Sequence, residues 1–149
     1  MMTITLSQAA AVLSHQPFST HIGARMVAFE QGSATLEVPV RDELRQQFGL
    51  VAGGVLASLA DNALTFAGGS VLGPSVVTSG FTITYLRPAT GHTVRAVASV
   101  VDATRRQAVC HCEVYSITDG APEQLCAVAY GTARLTEAGY ADDVVEDLL

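Results

Sequence analysis

Lysine is missing from this chain: all eight basic residues among its 149 are arginines. That absence removes Schiff-base chemistry, a pyridoxal lysine and a phosphate-loop lysine together. Cysteine is scarce and odd in number, three in all, which does not make a disulfide framework. Cys110 and Cys112 share one face of any strand that carries them. His111 between them points to the other face, so the three do not form a metal-ligand set. The thiols are expected to be small buried apolar groups. No basic stripe or basic helix is visible, which disfavours a nucleic-acid partner. No basic residue precedes the mildly apolar N-terminal stretch MMTITLSQAAAVLSHQ, so a secretory signal is not expected. The longest apolar run is interrupted by Asp61 before it reaches the ~20 residues of a membrane span.

What is present fits one domain. The hydrophobic fraction is 49% and the mean hydropathy +0.35, so residues 1–136 are expected to bury roughly 70% of their unfolded surface as a single cytoplasmic unit. The charge is unevenly spread. Five of the fourteen acids (Glu137, Asp142, Asp143, Glu146 and Asp147) lie where no base occurs. Residues 1–136 therefore hold nine acids against eight arginines, a formal net of −1. The overall −6 belongs largely to an acidic tail over 137–149, read as solvated or as a loose terminal helix.

Periodicity predicts a short helix over Gln8–Leu13 with Ser7 as its N-cap. Strands over Ala24–Glu30 and Ala34–Val40 follow, joined at Gln31-Gly32-Ser33, with Pro39 placing the second strand's end at an edge. The polar stretch Arg41–Gln47 reads as a loop. A helix from Gly53 to Ala67 is expected to stop at Gly68-Gly69. Strands over Val76–Leu86, Thr93–Val101, Ala108–Ile117 and Gln124–Leu135 complete the chain, and their short connections predict that consecutive strands pair antiparallel. The sum is an α+β fold, a long antiparallel sheet covering one dominant α-helix.

That helix carries the chemistry. Asp61 is the only charged residue between Val51 and Gly69, and a carboxylate in so apolar a helix is costly unless something compensates it. At the helix start, the free N–H groups of Gly53 and Gly54 can hold an oxyanion. Thr65, four residues beyond Asp61, shares its face. Gln46 and Gln47 can place an amide near the helix start. Asp61 lies about 12 Å along the axis from Gly53, so the two cannot serve one carbonyl within one chain. They can if a second copy packs its helix antiparallel alongside, which predicts a two-fold dimer with two composite sites.

The stretch QQFGLVAGGVLASLADNALTFAGG resembles the signature of hotdog-fold acyl-CoA thioesterases of the PaaI type, roughly N/Q-x-x-G-x-x-H-G-G-x-x-x-x-x-x-D/E. SGFTITYLRPATG is similar to the family's strand that ends in a basic residue and proline, and the resemblance spans Phe18 to Leu135. It implies a hotdog fold and hydrolysis of an acyl-CoA thioester, with coenzyme A part of the substrate and no metal or cofactor. A homodimer or dimer of dimers is implied too. By position it makes Asp61 the base or nucleophile and the Gly53 N–H of the facing subunit the oxyanion donor. Gln46 falls near the thioester, and Thr65 and Thr78 where hydroxyls orient the water or carboxylate. Arg87 with Arg105 or Arg106 is implied to grip the coenzyme A phosphates. Phe48, Leu50, Leu56 and Phe81 are expected to line an acyl tunnel between subunits, and Gly54 to bind substrate.

One position departs from the pattern: the family's His before the first glycine is Ala52. Alanine supplies no side-chain hydrogen bond, although the backbone donor survives. None of His15, His21, His92 or His111 lies near the motif in sequence. A non-catalytic acyl-CoA-binding protein of the same fold is therefore the alternative. A hotdog dehydratase or hydratase needs an acid–base pair usually including a His on the central helix, and this helix has none.

Overall fold

The computed structural model describes residues 4–136; the acidic tail over 137–149 lies outside the described residues. Helix α1 (Leu6–Ser14) starts at a reciprocal cap. Thr5 Oγ1 accepts from the Gln8 N–H at 3.2 Å, and Gln8 Oε1 accepts from the Thr5 N–H at 2.9 Å. The N-cap is thus Thr5 rather than Ser7, because Gln8 stands at the third helical position, where it can reach back. A second helix, α2 (Pro17–Ile22), was not expected from periodicity. Pro17 pre-sets its first turn, and Gly23 ends it in the left-handed region at φ 82°.

Strands β1 (Arg25–Glu30) and β2 (Ser33–Pro39) form the expected hairpin, and a 3₁₀ turn (Asp42–Leu44) follows. Helix α3 spans Gly53–Leu72. Then come β3 (Val76–Tyr85), β4 (Thr93–Ala103), β5 (Gln107–Ile117) and β6 (Gln124–Leu135). Pro39 pairs with Thr93 on β4, while the last β2 residue facing β1 is Glu37. Its missing N–H therefore falls where β1 has run out, although β2 itself is an interior strand.

The six strands are antiparallel in the order β1-β2-β4-β5-β6-β3. The expectation that consecutive strands pair holds except for β3 and β4. After crossing the sheet on α3, the chain lays β3 beside β6 at the far edge. The segment that returns it to β2 is no hairpin turn. The Leu86 and Arg87 N–H groups donate to the Cys126 carbonyl at 2.7 and 3.2 Å. The Ala89 carbonyl accepts from Val51, and the His92 carbonyl from Val40. It closes the end of the sheet at which α3 begins.

Helix α3 passes through Gly68-Gly69 and stops at Gly73, which corrects the expected end. Gly68 is a contact glycine: a Cβ there would stand 2.6 Å from the Ala133 Cβ. The sheet's inner face is rich in small residues (Ala96, Ala98, Ala108, Ala129, Ala133), so the helix lies close against it. Leu59, Ala63 and Leu64 meet Leu36, Val94, Cys110 and Cys112 in the core, each fully buried leucine contributing about 1.5–3 kcal/mol. By length and composition alone α3 could cross a membrane; it is instead the helix the sheet wraps. The two thiols face inward as expected, and His111 faces out against the Tyr130 ring, 4.8 Å between centroids. On the outer face, Glu37 joins Arg25 at 3.1 Å and Arg95 at 2.7 Å, and Arg95 reaches Glu123 at 2.5 Å, tying three strands and a turn. This is the hotdog architecture.

Candidate active site

Asp61 is half-buried in the middle of α3, across from β3. The Thr78 hydroxyl donates to Asp61 Oδ1 at 2.5 Å. One turn along the helix, the Thr65 hydroxyl lies 2.8 Å from the Asp61 main-chain carbonyl and 2.5 Å from the Thr78 hydroxyl. Each threonine carries a single hydroxyl proton, so two protons serve three short contacts while Asp61 is ionised. Once Asp61 takes up a proton, the carboxyl donates to Thr78, Thr78 to Thr65, and Thr65 to the Asp61 carbonyl. All three contacts are then hydrogen bonds. Thr78 thus meets the carboxyl group as donor when it is ionised and as acceptor when it is protonated.

Asp61 also lines a cavity of about 420 Å³ with His15, Phe18, Ser58 and Asn62. His15 Nδ1 lies 2.8 Å from the Ala11 carbonyl; a carbonyl only accepts, so Nδ1 carries a proton there. The fold thus brings one of the four histidines to the cavity that holds the acid. Among the described residues no group of His, Cys, Asp and Glu side chains is arranged to hold a metal ion.

At the start of α3, Ala52 is the N-cap and offers no side-chain acceptor. The Gly53 and Gly54 N–H groups have no hydrogen-bond partner among the described residues. The Tyr85 hydroxyl donates to the Gly53 carbonyl at 2.9 Å. Gln46 Oε1 accepts from the Phe48 N–H at 2.5 Å, which ties its acceptor into its own loop. The continuous helix between Gly53 and Asp61 keeps them about 12 Å apart in one chain.

Residues 48–123 match the thioesterase superfamily. The chain belongs to this superfamily. Solved structures agree with the assignment. A thioesterase family protein from Silicibacter pomeroyi is 27% identical, with a TM-score of 0.81 over 87% of this chain and 97% of that one. A thioesterase from Haemophilus influenzae is 26% identical, with a TM-score of 0.77 over 93% and 97%. A single-site variant of the phenylacetic acid degradation protein PaaI from Thermus thermophilus is 30% identical, with a TM-score of 0.70 over 81% and 100%. No sequence among the curated proteins matches.

Within this thioesterase-superfamily fold the expected residues divide into separate groups. Asp61, Thr65 and Thr78 come together. Gly53, Gly54 and Gln46 gather at the other end of the same helix, beside the exposed Phe48 and the half-buried Leu50. Phe81 sits next to a bulge in β3, partly exposed. Leu56 is buried in the core of its own protomer. Arg87 follows the end of β3 and donates to the Leu125 carbonyl at 3.0 Å. Arg105 and Arg106 are exposed in the β4–β5 turn, and the Arg106 carbonyl accepts from Leu135, opposite the first residue of β3. A ten-residue strand separates the two groups by about 30 Å, so within one chain they cannot hold the same phosphate.

Four residues escaped the sequence reading: Gln16, Ser19 and Asn62 beside the acid, and Tyr85 at the start of α3. The only local signal for the α2 region was Pro17 followed by Gly23, the opening and closing residues of a short helix.

Proposed function

We propose that this protein hydrolyses acyl-CoA thioesters in the cytoplasm, with Asp61 as general base. The carrying observation is the Asp61 carboxylate, held by a hydroxyl pair on a cavity wall, in a chain of the thioesterase superfamily. Water attacks the thioester carbonyl carbon and gives its proton to Asp61, and the carbonyl oxygen becomes an oxyanion. Collapse of the tetrahedral intermediate breaks the C–S bond. The departing thiolate takes the proton from Asp61, leaving free acid and coenzyme A. The Thr65–Thr78 pair supports Asp61 in both protonation states.

The oxyanion donor in this reading is the Gly53 N–H of a facing copy. β3 forms the sheet's edge, paired with β6 on one side only. A long unprotected edge strand invites pairing with another chain. Antiparallel pairing of two β3 strands about a two-fold axis lays the two α3 helices side by side in opposite directions. The Gly53 end of each then meets Asp61 of the other, and a dimer or dimer of dimers completes the sites. Arg87 lies at the Gly53 end, where it suits the phosphates of a coenzyme A bound there.

The test is free-thiol release from a panel of acyl-CoAs, wild type against Asp61→Asn, with the oligomeric mass measured alongside. Loss of about 10²–10⁴-fold in the variant is expected. Ala52 leaves the helix cap without a side-chain bond, which favours the second reading, a binder without turnover. Acyl-CoA binding with no release above background, unchanged by Asp61→Asn, supports that reading instead.

A further inference from the structure

Behind Asp61 lies a second, smaller cavity of about 100 Å³ between α1, α3, β1 and the start of β3. Val12, Phe29, Phe66 and Val76 supply its apolar walls, and Gly69 adds bare backbone beside Val76. Phe29 and Phe66 meet edge to face, 6.4 Å between centroids at 87°, which fixes both rings. Thr65 lines this cavity too, and its hydroxyl is one contact from Thr78 and two from the Asp61 carboxylate.

The two cavities share a wall. Gln16 and Asn62 line both. Asn62 Nδ2 donates to Gln16 Oε1 and to Ser19 Oγ, each at 2.9 Å, and Ser19 Oγ donates to Gln16 Oε1 at 2.6 Å. This closed triangle pins the α1–α2 corner onto α3 beside the catalytic acid of the proposed reaction. Ser19 is buried, so the clasp is a fixed rim shared by the outer space at Asp61 and the inner apolar one.

Resting on the thioesterase reading, we propose that the inner cavity receives the acyl group and that the Gln16–Ser19–Asn62 clasp limits it to short aliphatic chains. The outer cavity is four times larger and carries Asp61, His15 and Ser58, which suits the thioester and its polar pantetheine arm. The inner walls offer an acyl tail apolar contact and few polar partners. Size decides the class. An apolar cavity of roughly 150 Å³ accepts benzene; the inner cavity here, at about 100 Å³, fits about three to five carbons better than an aromatic ring. Specificity then resides in the N-terminal helical corner and one face of α3, rather than in Phe48, Leu50 or Phe81.

The experiment measures kcat and KM for acetyl-, butyryl-, hexanoyl-, decanoyl- and phenylacetyl-CoA with wild type, Gly69→Ala and Asn62→Ala. The wild type is expected to prefer butyryl-CoA by roughly tenfold over acetyl- and phenylacetyl-CoA, since one methylene in an apolar pocket is worth about 10–200-fold. Gly69→Ala puts a methyl 3.1 Å from Val76 Cγ2. It should lower the butyryl-to-acetyl ratio about tenfold, mainly through KM. Asn62→Ala widens this rim and should move the optimum to hexanoyl- or phenylacetyl-CoA. A merely structural role for either residue would depress all substrates alike. Calorimetric affinities of Asp61→Asn for the same panel read the chain-length order without turnover. An optimum at phenylacetyl- or decanoyl-CoA in wild type, or one profile shared by all three proteins, overturns the acyl-site assignment and leaves the hydrolase reading intact if Asp61→Asn is inactive. Butyryl preference in binding with no hydrolysis upholds the assignment and removes the hydrolase; neither binding nor hydrolysis overturns both.

Discussion

The Tyr85 hydroxyl donates to the Gly53 carbonyl at 2.9 Å, and its ring stands so near that a Cβ at residue 53 would meet it at 3.3 Å. Residue 53 is thus held small by an aromatic neighbour as well as by its exposed N–H. Gly53→Ala must push either the ring or the first turn of α3. Displacing the oxyanion donor is expected to cost about 2.7–4 kcal/mol of barrier, a loss of roughly 10²–10³ in kcat. Tyr85→Phe keeps the ring and removes one hydrogen bond, for which a several-fold fall in kcat is expected. Its unfolding free energy should change by less than about 1 kcal/mol, because the phenol is half exposed. Steady-state kinetics beside urea unfolding separates the two effects. A Gly53→Ala protein with full activity would remove the helix start from the mechanism.

Thr78 gives a sharper test of the acid's surroundings. Thr78→Val keeps the shape and removes the hydroxyl that touches the Asp61 carboxylate. Neither the ionised nor the protonated acid then keeps its partner. The expected outcome is a fall of about 10–100-fold in kcat with KM little changed, and recovery of most of the loss in Thr78→Ser. Equal loss in the Val and Ser variants would mean that packing at the Thr78 methyl, and not the proton count, is what matters.

Asp61 was legible in the sequence because a lone charge in an apolar helix is a local fact, and Thr65 because helix geometry places it one turn away. The four β-strands after the helix were legible for the same reason, since alternation and turn residues are local. Their order was not. β3 pairs with β6 rather than β4, a choice made by where α3 delivers the chain and by main-chain bonds from Leu86 and Arg87 to Cys126. Tyr85 reached Gly53 only through that topology. Gln16 and Ser19 escaped because a six-residue helix is too short to show a period, and Asn62 because its partners belong to that helix and its N-cap. Gly68-Gly69 was misread because a glycine pair signals a helix stop and a close packing contact equally well.

The Gly68 contact makes its own prediction. In an exposed helix interior Gly→Ala is favourable by about 0.5–1 kcal/mol. Here the new methyl would stand 2.6 Å from the Ala133 Cβ and 3.6 Å from Cys110 Sγ. Overpacking of this kind costs about 1–3 kcal/mol, so Gly68→Ala is expected to lower the urea midpoint. The double variant Gly68→Ala/Ala133→Gly should recover part of the loss. A stabilised single variant would show that α3 can lift off the sheet.

The buried thiols and Tyr115 are expected to limit stability at alkaline pH. Burial pushes Cys110 from 9.0 up to about 11. Cys112 rises to about 12, through burial first and then the neighbouring Glu113. Burial raises Cys126 as well. Tyr115 rises from 10.0 to about 12, chiefly because its phenol donates to Glu113. Each folded value lies above the unfolded one, so the stabilisation from keeping these groups protonated is fully present below pH 9. Above that the unfolded chain sheds thiol protons that the folded chain retains, and stability falls as pH climbs through the folded values near 11 and 12. Urea midpoints between pH 7 and pH 11 should be level to about 9 and decline beyond it, with a shallower decline in Cys112→Ala. The same burial should leave all three thiols unreactive toward a disulfide reagent at pH 8 until urea is added. Fast labelling of the native protein, or a Cys112→Ala slope equal to that of wild type, would mean that another group governs the alkaline transition.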